Sequence, residues 1–194
     1  MKPSATTILP TALGEFAVSV YPDEKGREHV ALSRGDLSLP EPVLMRLQSE
    51  CLTGEVFGST HCECRPQLNA AMELIAKTGR GLLIYLRQEG RDIGLTNKIK
   101  AYELQRQGLD TLEANVKLGF PPDARHYDVA AAILRDLEIS QVKLMTNNPD
   151  KIAQLESLGI TVVVRVPLEI PPNGTDNKYL QIKKNKMGHL LTQV

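Results

Sequence analysis

All three cysteines of this 194-residue chain, Cys51, Cys62 and Cys64, lie within one stretch of fourteen residues. Thiolates are soft ligands that select zinc over magnesium or calcium, so this cluster predicts a metal site. Successive side chains of an extended strand point to opposite faces. Cys62 and Cys64 can therefore bind one ion only if the chain turns between them. The cluster thus predicts a metal and a local turn together.

The number of ligands decides what such a metal does. A structural zinc normally has four protein ligands, whereas a catalytic zinc has three and a water. Three cysteines alone favour an open site that activates water, but His61 is adjacent to Cys62 and would make the site structural as a fourth ligand. Buried or redox-active thiols without a metal are a third interpretation. A disulfide is the least favoured, because it leaves one cysteine over and no secretory signal indicates an oxidising compartment.

Charge and hydrophobicity narrow the class of protein. Lys plus Arg and Asp plus Glu number 23 each, which disfavours a nucleic-acid binder that relies on a basic surface. No apolar run approaches the ~20 residues that span a bilayer, and residues 1–10 lack a signal-peptide pattern. We therefore predict a cytoplasmic protein with a single domain, 1–194, a short flexible N-terminus at 1–10 and a mobile C-terminal segment after about residue 168.

Hydrophobic patterns predict an α/β fold, with a mixed sheet flanked by helices. The predicted strands are 15–21, 29–33, 42–47, 82–86, 141–145 and 161–166. The predicted helices are 66–76, 93–107, 126–137, 149–158 and 178–191. The run at 82–86 is continuously apolar, which is typical of a strand buried on both faces.

Three predicted strand exits carry many polar residues, in segments 46–51, 85–94 and 146–151. In open α/β sheets, ligands bind beyond the carboxyl ends of the strands. The second segment brings arginines and glycines to a helix start, a pattern that favours phosphate binding over a solvated turn. Lys151 lies in a first helical turn, where the helix dipole disfavours a cation, so it faces either an anionic ligand or solvent. After Pro121-Pro122, the pattern alone favours structural roles, with Asp123 as a cap and Arg125 on the surface.

Together these segments resemble the GTP cyclohydrolase II family over roughly residues 12–191. The matching blocks include Ser49-Glu50-Cys51-Leu52-Thr53-Gly54, Cys62-x-Cys64, Arg87-Gln88-Glu89-Gly90-Arg91-x-Ile93-Gly94-Leu95, Asn97-Lys98-Ile99, Glu113-Ala114-Asn115, Thr146-Asn147-Asn148-Pro149 and Lys186-Met187-Gly188-His189-Leu190-Leu191. The resemblance implies a GTP cyclohydrolase II-like fold and a homodimer. It also implies the first step of riboflavin biosynthesis, in which the guanine imidazole ring of GTP is opened and formate and pyrophosphate are released.

The resemblance also implies a role for each catalytic residue. Zinc would be held by Cys51, Cys62 and Cys64, and its water would attack C8 of the guanine. Arg125 aligns with a proposed nucleophile at the α-phosphate, although a protonated guanidinium is better suited to electrostatic stabilisation. Asp123 aligns with a proton acceptor. Tyr102 aligns with a tyrosine near the imidazole, where it would donate a proton or orient water.

The positions that bind GTP in the family carry over to twelve residues, and magnesium is expected with the triphosphate. They are Arg46, Leu47, Gln48, Ser49, Glu50, Gln67, Glu89, Gly90, Arg91, Thr111, Thr146 and Lys151.

Departures from the family pattern concentrate near the metal. Gln48 stands where members have histidine, and the run from His61 to Arg65 replaces Arg-Cys-Asp-Cys-Gly. Arg65 in place of glycine is expected to add a cation beside the thiolates. Two alternatives follow. One is a paralogue in secondary metabolism that acts on another substrate or stops at a formylated intermediate. The other is a zinc- and nucleotide-binding protein without turnover.

Overall fold

The computed structural model describes residues 1–172, 174 and 177–193, except the side chain of Lys178. Its centre is a mixed seven-stranded sheet with the order β1-β2-β3-β5-β4-β6-β7. The strands are β1 (Ala5–Thr11), β2 (Gly14–Pro22), β3 (Glu28–Arg34), β4 (Val43–Ser49), β5 (Gly81–Leu86), β6 (Gln141–Met145) and β7 (Thr161–Val166). Strands β1, β2, β3 and β5 pair antiparallel, whereas β5, β4, β6 and β7 pair parallel.

Helices cover both faces of the sheet. They are α1 (Leu52–Glu55), α2 (Cys64–Thr78), α3 (Glu89–Asp92), α4 (Gly94–Arg106), α5 (Thr111–Lys117), α6 (Asp128–Asp136), α7 (Pro149–Ser157) and α8 (Asn177–Met187). Helices α6 and α7 pack on one face and α2 on the other. In β5, Leu82, Ile84 and Leu86 join the first core and Leu83 joins the second, so this strand is buried on both faces as its apolar run predicts.

The α/β class and the mixed sheet are confirmed. The flexible N-terminus predicted at 1–10 is wrong for most of its length, because Ala5–Thr11 forms β1 and pairs with β2 along its whole length. This edge strand is exposed on both faces, so it carries no apolar alternation that a sequence pattern could detect. Backbone hydrogen bonds hold it, together with the Thr6 and Ser19 hydroxyls, 2.9 Å apart.

The C-terminal segment contributes a helix to the structure. Residues 173, 175, 176 and 194 of the predicted mobile segment lie outside the described residues, and its mobility stays a prediction. The helix predicted at 178–191 ends at Met187, because Gly188 adopts a left-handed backbone with a φ of 65°. Within the described part of the chain, no helix is both long enough and apolar enough to cross a membrane.

Candidate functional site

A cavity lies where the parallel strands β4, β5 and β6 end, because the carboxyl ends of parallel strands meet at one edge of a sheet. Every residue predicted for the metal, for catalysis or for GTP lines this cavity except Leu47 and Asp123. Leu47 is in the core and offers only its carbonyl, whereas Asp123 contacts the cavity through its partner Arg125. The three polar strand exits therefore converge as the sequence predicts.

The three thiols form a compact group on one side of the cavity. Their sulfur atoms all lie within 4.8 Å of one another, and those of Cys51 and Cys62 are 3.6 Å apart. A tetrahedral zinc with bonds of about 2.3 Å separates two sulfur ligands by roughly 3.8 Å, so the spacing fits this metal. The required turn is present, since Cys64 begins α2 directly after Cys62.

Gly54 makes room for the thiols. A Cβ atom at this position would lie 2.8 Å from the sulfur of Cys62 and 3.1 Å from that of Cys51. His61, by contrast, is exposed and outside the sulfur group, with its ring centroid 5.1 Å from that of Tyr102. The geometry therefore favours three cysteine ligands over a site closed by His61.

Lys98 stabilises negative charge on the first thiol. Its ammonium lies 3.1 Å from the sulfur of Cys51 and 2.7 Å from Glu89. Hydrogen bonds from the thiols of Cys62 and Cys64, followed by the charge of Lys98, lower the pKa of Cys51 well below its ordinary value. Lys98 was missed as a site residue. The signal was its spacing, because it lies four residues before Tyr102 and thus on the same face of α4.

A chain of polar side chains leads from the thiols along the cavity. Glu55 accepts hydrogen bonds from the backbone N–H of Cys51, at 3.2 Å, and from Gln48, at 2.7 Å. Gln48 in turn accepts from Arg46 at 2.9 Å, and Arg46 donates to Gln67 at 2.7 Å. Gln48, which replaces a histidine of the family pattern, therefore links the thiol side to a buried arginine.

Arg65 does not add its charge to the thiols, so this expectation is wrong. Its guanidinium turns outward and donates to the carbonyl oxygens of Glu55, at 2.7 Å, and Val56, at 2.8 Å. These carbonyls lie at the end of α1 and are otherwise left without helical donors. The loss of glycine here is thus compensated by a cap on α1.

Tyr102 faces the thiols from α4. Its hydroxyl is 3.1 Å from that of Thr53, and the ammonium of Lys98 lies 5.7 Å from its ring centroid. Burial raises the pKa of Tyr102, so the phenol keeps its proton at neutral pH. It is therefore placed as a hydroxyl donor beside the sulfur group.

Four cations on the same lining form a second group, which we call the cation side: Arg91, Arg125, Lys151 and Lys183. Lys151 donates to the carbonyl of Leu47 at 2.8 Å, so it faces the cavity and not solvent. Burial, followed by the charges of Arg46 and Arg125, lowers its pKa well below the ordinary value. An anion placed here would relieve that repulsion.

Arg125 and Asp123 do not have the structural roles that their pattern alone favours. Asp123 caps no helix, since α6 begins at Asp128, and it forms a bidentate ion pair with Arg125. Burial opposes the charge of Arg125, but Tyr127 and Asp123 outweigh it and raise the pKa. The guanidinium is thus held protonated at the cavity wall.

Helix α8 and the segment after it close the cation side, and sequence reasoning missed their contribution. Lys183 pairs with Glu63 at 2.5 Å, across 120 positions of the chain. The Nε2 atom of His189 is buried and has no hydrogen-bond partner among the residues that the structure describes. Burial together with Lys183 and Arg125 lowers the pKa of this histidine to about 3. The available signal was the block of residues 186–191, which matched the family but received no role.

The sequence is similar to those of known proteins. A family model described as GTP cyclohydrolase II matches residues 2–167. "Riboflavin biosynthesis protein RibBA" of Aquifex aeolicus (strain VF5) is 56% identical over 188 residues, which are 96% of this chain and 46% of that protein. The protein of the same name from Bacillus subtilis (strain 168) is 58% identical over 185 residues, 94% of this chain and 46% of that protein.

The chain spans about half the length of the curated relatives it matches. Among solved structures, RibBX, a two-domain 3,4-dihydroxy-2-butanone 4-phosphate synthase from A. baumannii, superposes with a TM-score of 0.48 and 20% sequence identity. That superposition covers 87% of this chain and 40% of the other, and a likeness at this level carries no argument about function.

Proposed function

Because the chain belongs to the GTP cyclohydrolase II family, we propose that it is a zinc-dependent hydrolase that opens the imidazole ring of GTP. Formate and pyrophosphate leave, and the product is 2,5-diamino-6-(5-phosphoribosylamino)pyrimidin-4(3H)-one, in the first step of riboflavin biosynthesis. The observation that carries the proposal is the two-sided cavity. Three thiols and a set of cations line one space, as a substrate with a purine at one end and a polyphosphate at the other requires.

The thiol side carries the ring chemistry. Cys51, Cys62 and Cys64 would hold zinc, which when bound supplies Lewis acidity and lowers the pKa of water towards 7. Tyr102, protonated and beside the thiols, donates a proton to the imidazole nitrogen as the ring opens, or orients the attacking water. Lys98 and Glu89 hold the Cys51 side chain in place.

The cation side binds the triphosphate. Arg91, Lys151 and Arg125 offer donors that suit phosphate oxygens, and magnesium bound to the triphosphate neutralises further charge. The raised pKa of Arg125 makes its guanidinium a stabiliser of negative charge at the α-phosphate and a poor nucleophile. Asp123 orients it through their bidentate pair and is the candidate proton acceptor.

The remaining predicted GTP contacts surround these two sides. Gln67 has a donor and an acceptor for the purine edge, while Thr111 and Thr146 are buried hydroxyls on the lining. A homodimer and a cytoplasmic location complete the proposal, and both rest on the resemblance and on the sequence.

Incubation of the purified protein with GTP and magnesium tests the proposal. We expect release of formate and pyrophosphate in equal amounts and the ultraviolet spectrum of a diaminopyrimidine. A changed spectrum without formate would instead indicate a paralogue that stops at a formylated intermediate. Unchanged GTP in a zinc-loaded protein would reduce the function to nucleotide binding.

A further inference from the structure

Three consecutive residues beside the cavity have a left-handed backbone. The φ angles of Gly90, Arg91 and Asp92 are 64°, 62° and 69°. Glycine adopts this conformation freely, but Arg91 and Asp92 have a Cβ atom that disfavours it. Such strain persists where surrounding contacts hold the backbone, and it concentrates at functional sites. The turn 90–92 therefore needs an anchor.

The anchor comes from the hairpin of β2 and β3, on the side of the turn away from the cavity. Arg27 donates to Asp92 at 2.6 Å and to Asp23 at 2.7 Å, so one guanidinium bridges two carboxylates. His29 reinforces the arrangement, with its Nε2 atom 3.2 Å from Asp23 and its Nδ1 accepting from the backbone N–H of Arg87 at 3.1 Å. None of the three hairpin residues lines the cavity.

Hydrogen bonds connect the turn 90–92 to the cation side. The carbonyl of Arg91 accepts a hydrogen bond from the backbone N–H of Ala124 at 3.3 Å, and Ala124 lies between Asp123 and Arg125. The guanidinium of Arg91 also donates to the carbonyl of Pro122 at 3.2 Å. A shift of the turn would therefore displace the 122–125 segment that carries the Asp123–Arg125 pair.

We propose that Arg27 is a positioning residue, which through Asp92 holds the strained turn and thereby sets the place of Arg91 and Arg125 against the substrate. This inference rests on the proposed function, because the readout is turnover of GTP. Arg27 itself touches neither the substrate cavity nor the thiols.

Four variants test whether the ion pair between Arg27 and Asp92 positions the turn. The substitution Asp92→Gly relieves the strain of the left-handed backbone and removes the carboxylate that pairs with Arg27. If the carboxylate had no role, this variant would keep its activity. Arg27→Met removes the other partner, and the double variant shows whether the two act as one interaction. We expect each single variant to lower kcat/KM about 10- to 100-fold, through both a lower kcat and a higher KM because Arg125 and Arg91 are displaced together, with zinc content unchanged. The double variant should be no slower than the slower single one, and Arg27→Lys should recover part of the rate.

Arg106→Met is the matched control, since Arg106 forms an ion pair with Glu103 on the exposed surface of α4, at 2.9 Å. It should keep wild-type kcat. Full turnover in Asp92→Gly, or losses that add in the double variant, would overturn the proposal. So would a loss of rate that vanishes when the assay runs well below each variant's Tm, because the pair would then only stabilise the fold.

Hydrogen exchange separates this inference from the proposed function. The amide of Ala124 should exchange faster in Arg27→Met and Asp92→Gly than in wild type or Arg106→Met. If wild type released no formate but this difference held, the proposed function alone would fail. Equal exchange of this amide in wild type, Arg106→Met, Arg27→Met and Asp92→Gly would reject the positioning role of Arg27, whether or not the protein turns over GTP.

Discussion

The two sides of the cavity differ in how their charges are satisfied. On the thiol side, Lys98 is paired with Glu89, and the polar chain from Glu55 to Gln67 satisfies its donors internally. On the cation side, Arg125 and Lys183 have carboxylate partners, but Lys151 donates to a main-chain carbonyl and has no carboxylate partner within the described part of the chain, where other cations crowd it. One side gathers three thiols that could hold a metal ion, and the other keeps excess positive charge that would suit an anion.

Because of this difference, we expect substitutions on the two sides to impair different properties of the protein. The three thiols come from one short segment of the chain, with Cys51, Cys62 and Cys64 all near the start of α1 or α2. The cations come from the turn 90–92, the segment before α6, the start of α7, and α8. A change to the thiols should therefore alter chemistry without binding, and a change to Lys151 should alter binding without metal content. Lys183 is the exception, because its partner Glu63 lies between two of the thiols.

The largest effect is expected from Cys62→Ser, which removes one thiol and leaves the cations intact. Formate release should fall roughly 10³-fold or more, equivalent to about 4 kcal/mol of transition-state stabilisation. Metal analysis should show reduced zinc, while GTP affinity measured by calorimetry should stay close to that of wild type. A metal-free Cys62→Ser protein with full activity would remove zinc from the mechanism.

Tyr102→Phe tests chemistry on the thiol side without touching the metal. Loss of a proton donor should lower kcat about 100-fold and leave KM and zinc content nearly unchanged. Tyr21→Phe is the matched control, because the hydroxyl of Tyr21 donates to Asp136 at 3.0 Å, away from the cavity. Equal kcat in the two variants would exclude Tyr102 as the donor.

Lys151→Met tests the cation side alone. Loss of one charge-assisted contact of about 1.5–3 kcal/mol should weaken GTP binding roughly 10- to 100-fold, with normal zinc content. Lys143→Met, at an exposed lysine of β6, should bind GTP as wild type does. Loss of zinc in Lys151→Met would contradict the independence of the two sides.

The smallest effect concerns pH. Folding holds His189 neutral by lowering its pKa from 6.5 to about 3, so below pH 6.5 the unfolded chain binds a proton that the folded chain does not. The unfolding free energy should therefore fall as the pH drops, by about 1.4 kcal/mol at pH 5.5 from this group. Denaturant titrations of wild type and His189→Gln at several pH values should show that the variant lacks this contribution to the pH dependence of the unfolding free energy. An identical pH dependence would mean that His189 is not held neutral.

Much of the thiol side could be predicted from sequence, because its ligands are close along the chain and cysteine has few alternative uses. Strand exits also predicted where Lys151 and Arg91 converge. Arg125 needed the resemblance, since a cap and a surface arginine were the simpler reading of its pattern. Lys98, Glu55 and Lys183 were missed because their partners are set by tertiary contacts, the longest of them across 120 positions. Strand β1 was missed for lack of apolar alternation.

Because of the position of α8, the end of the family match and the end of the cavity wall do not coincide along the chain. The family match ends at residue 167, whereas Lys183 and His189 belong to the wall of the cavity. A fragment cut to the matched residues would keep every thiol and still lack part of the surface that we propose to bind the phosphates. It should therefore retain zinc and lose affinity for nucleotide, and surveys that compare relatives only over the matched region would overlook differences that arise in this helix.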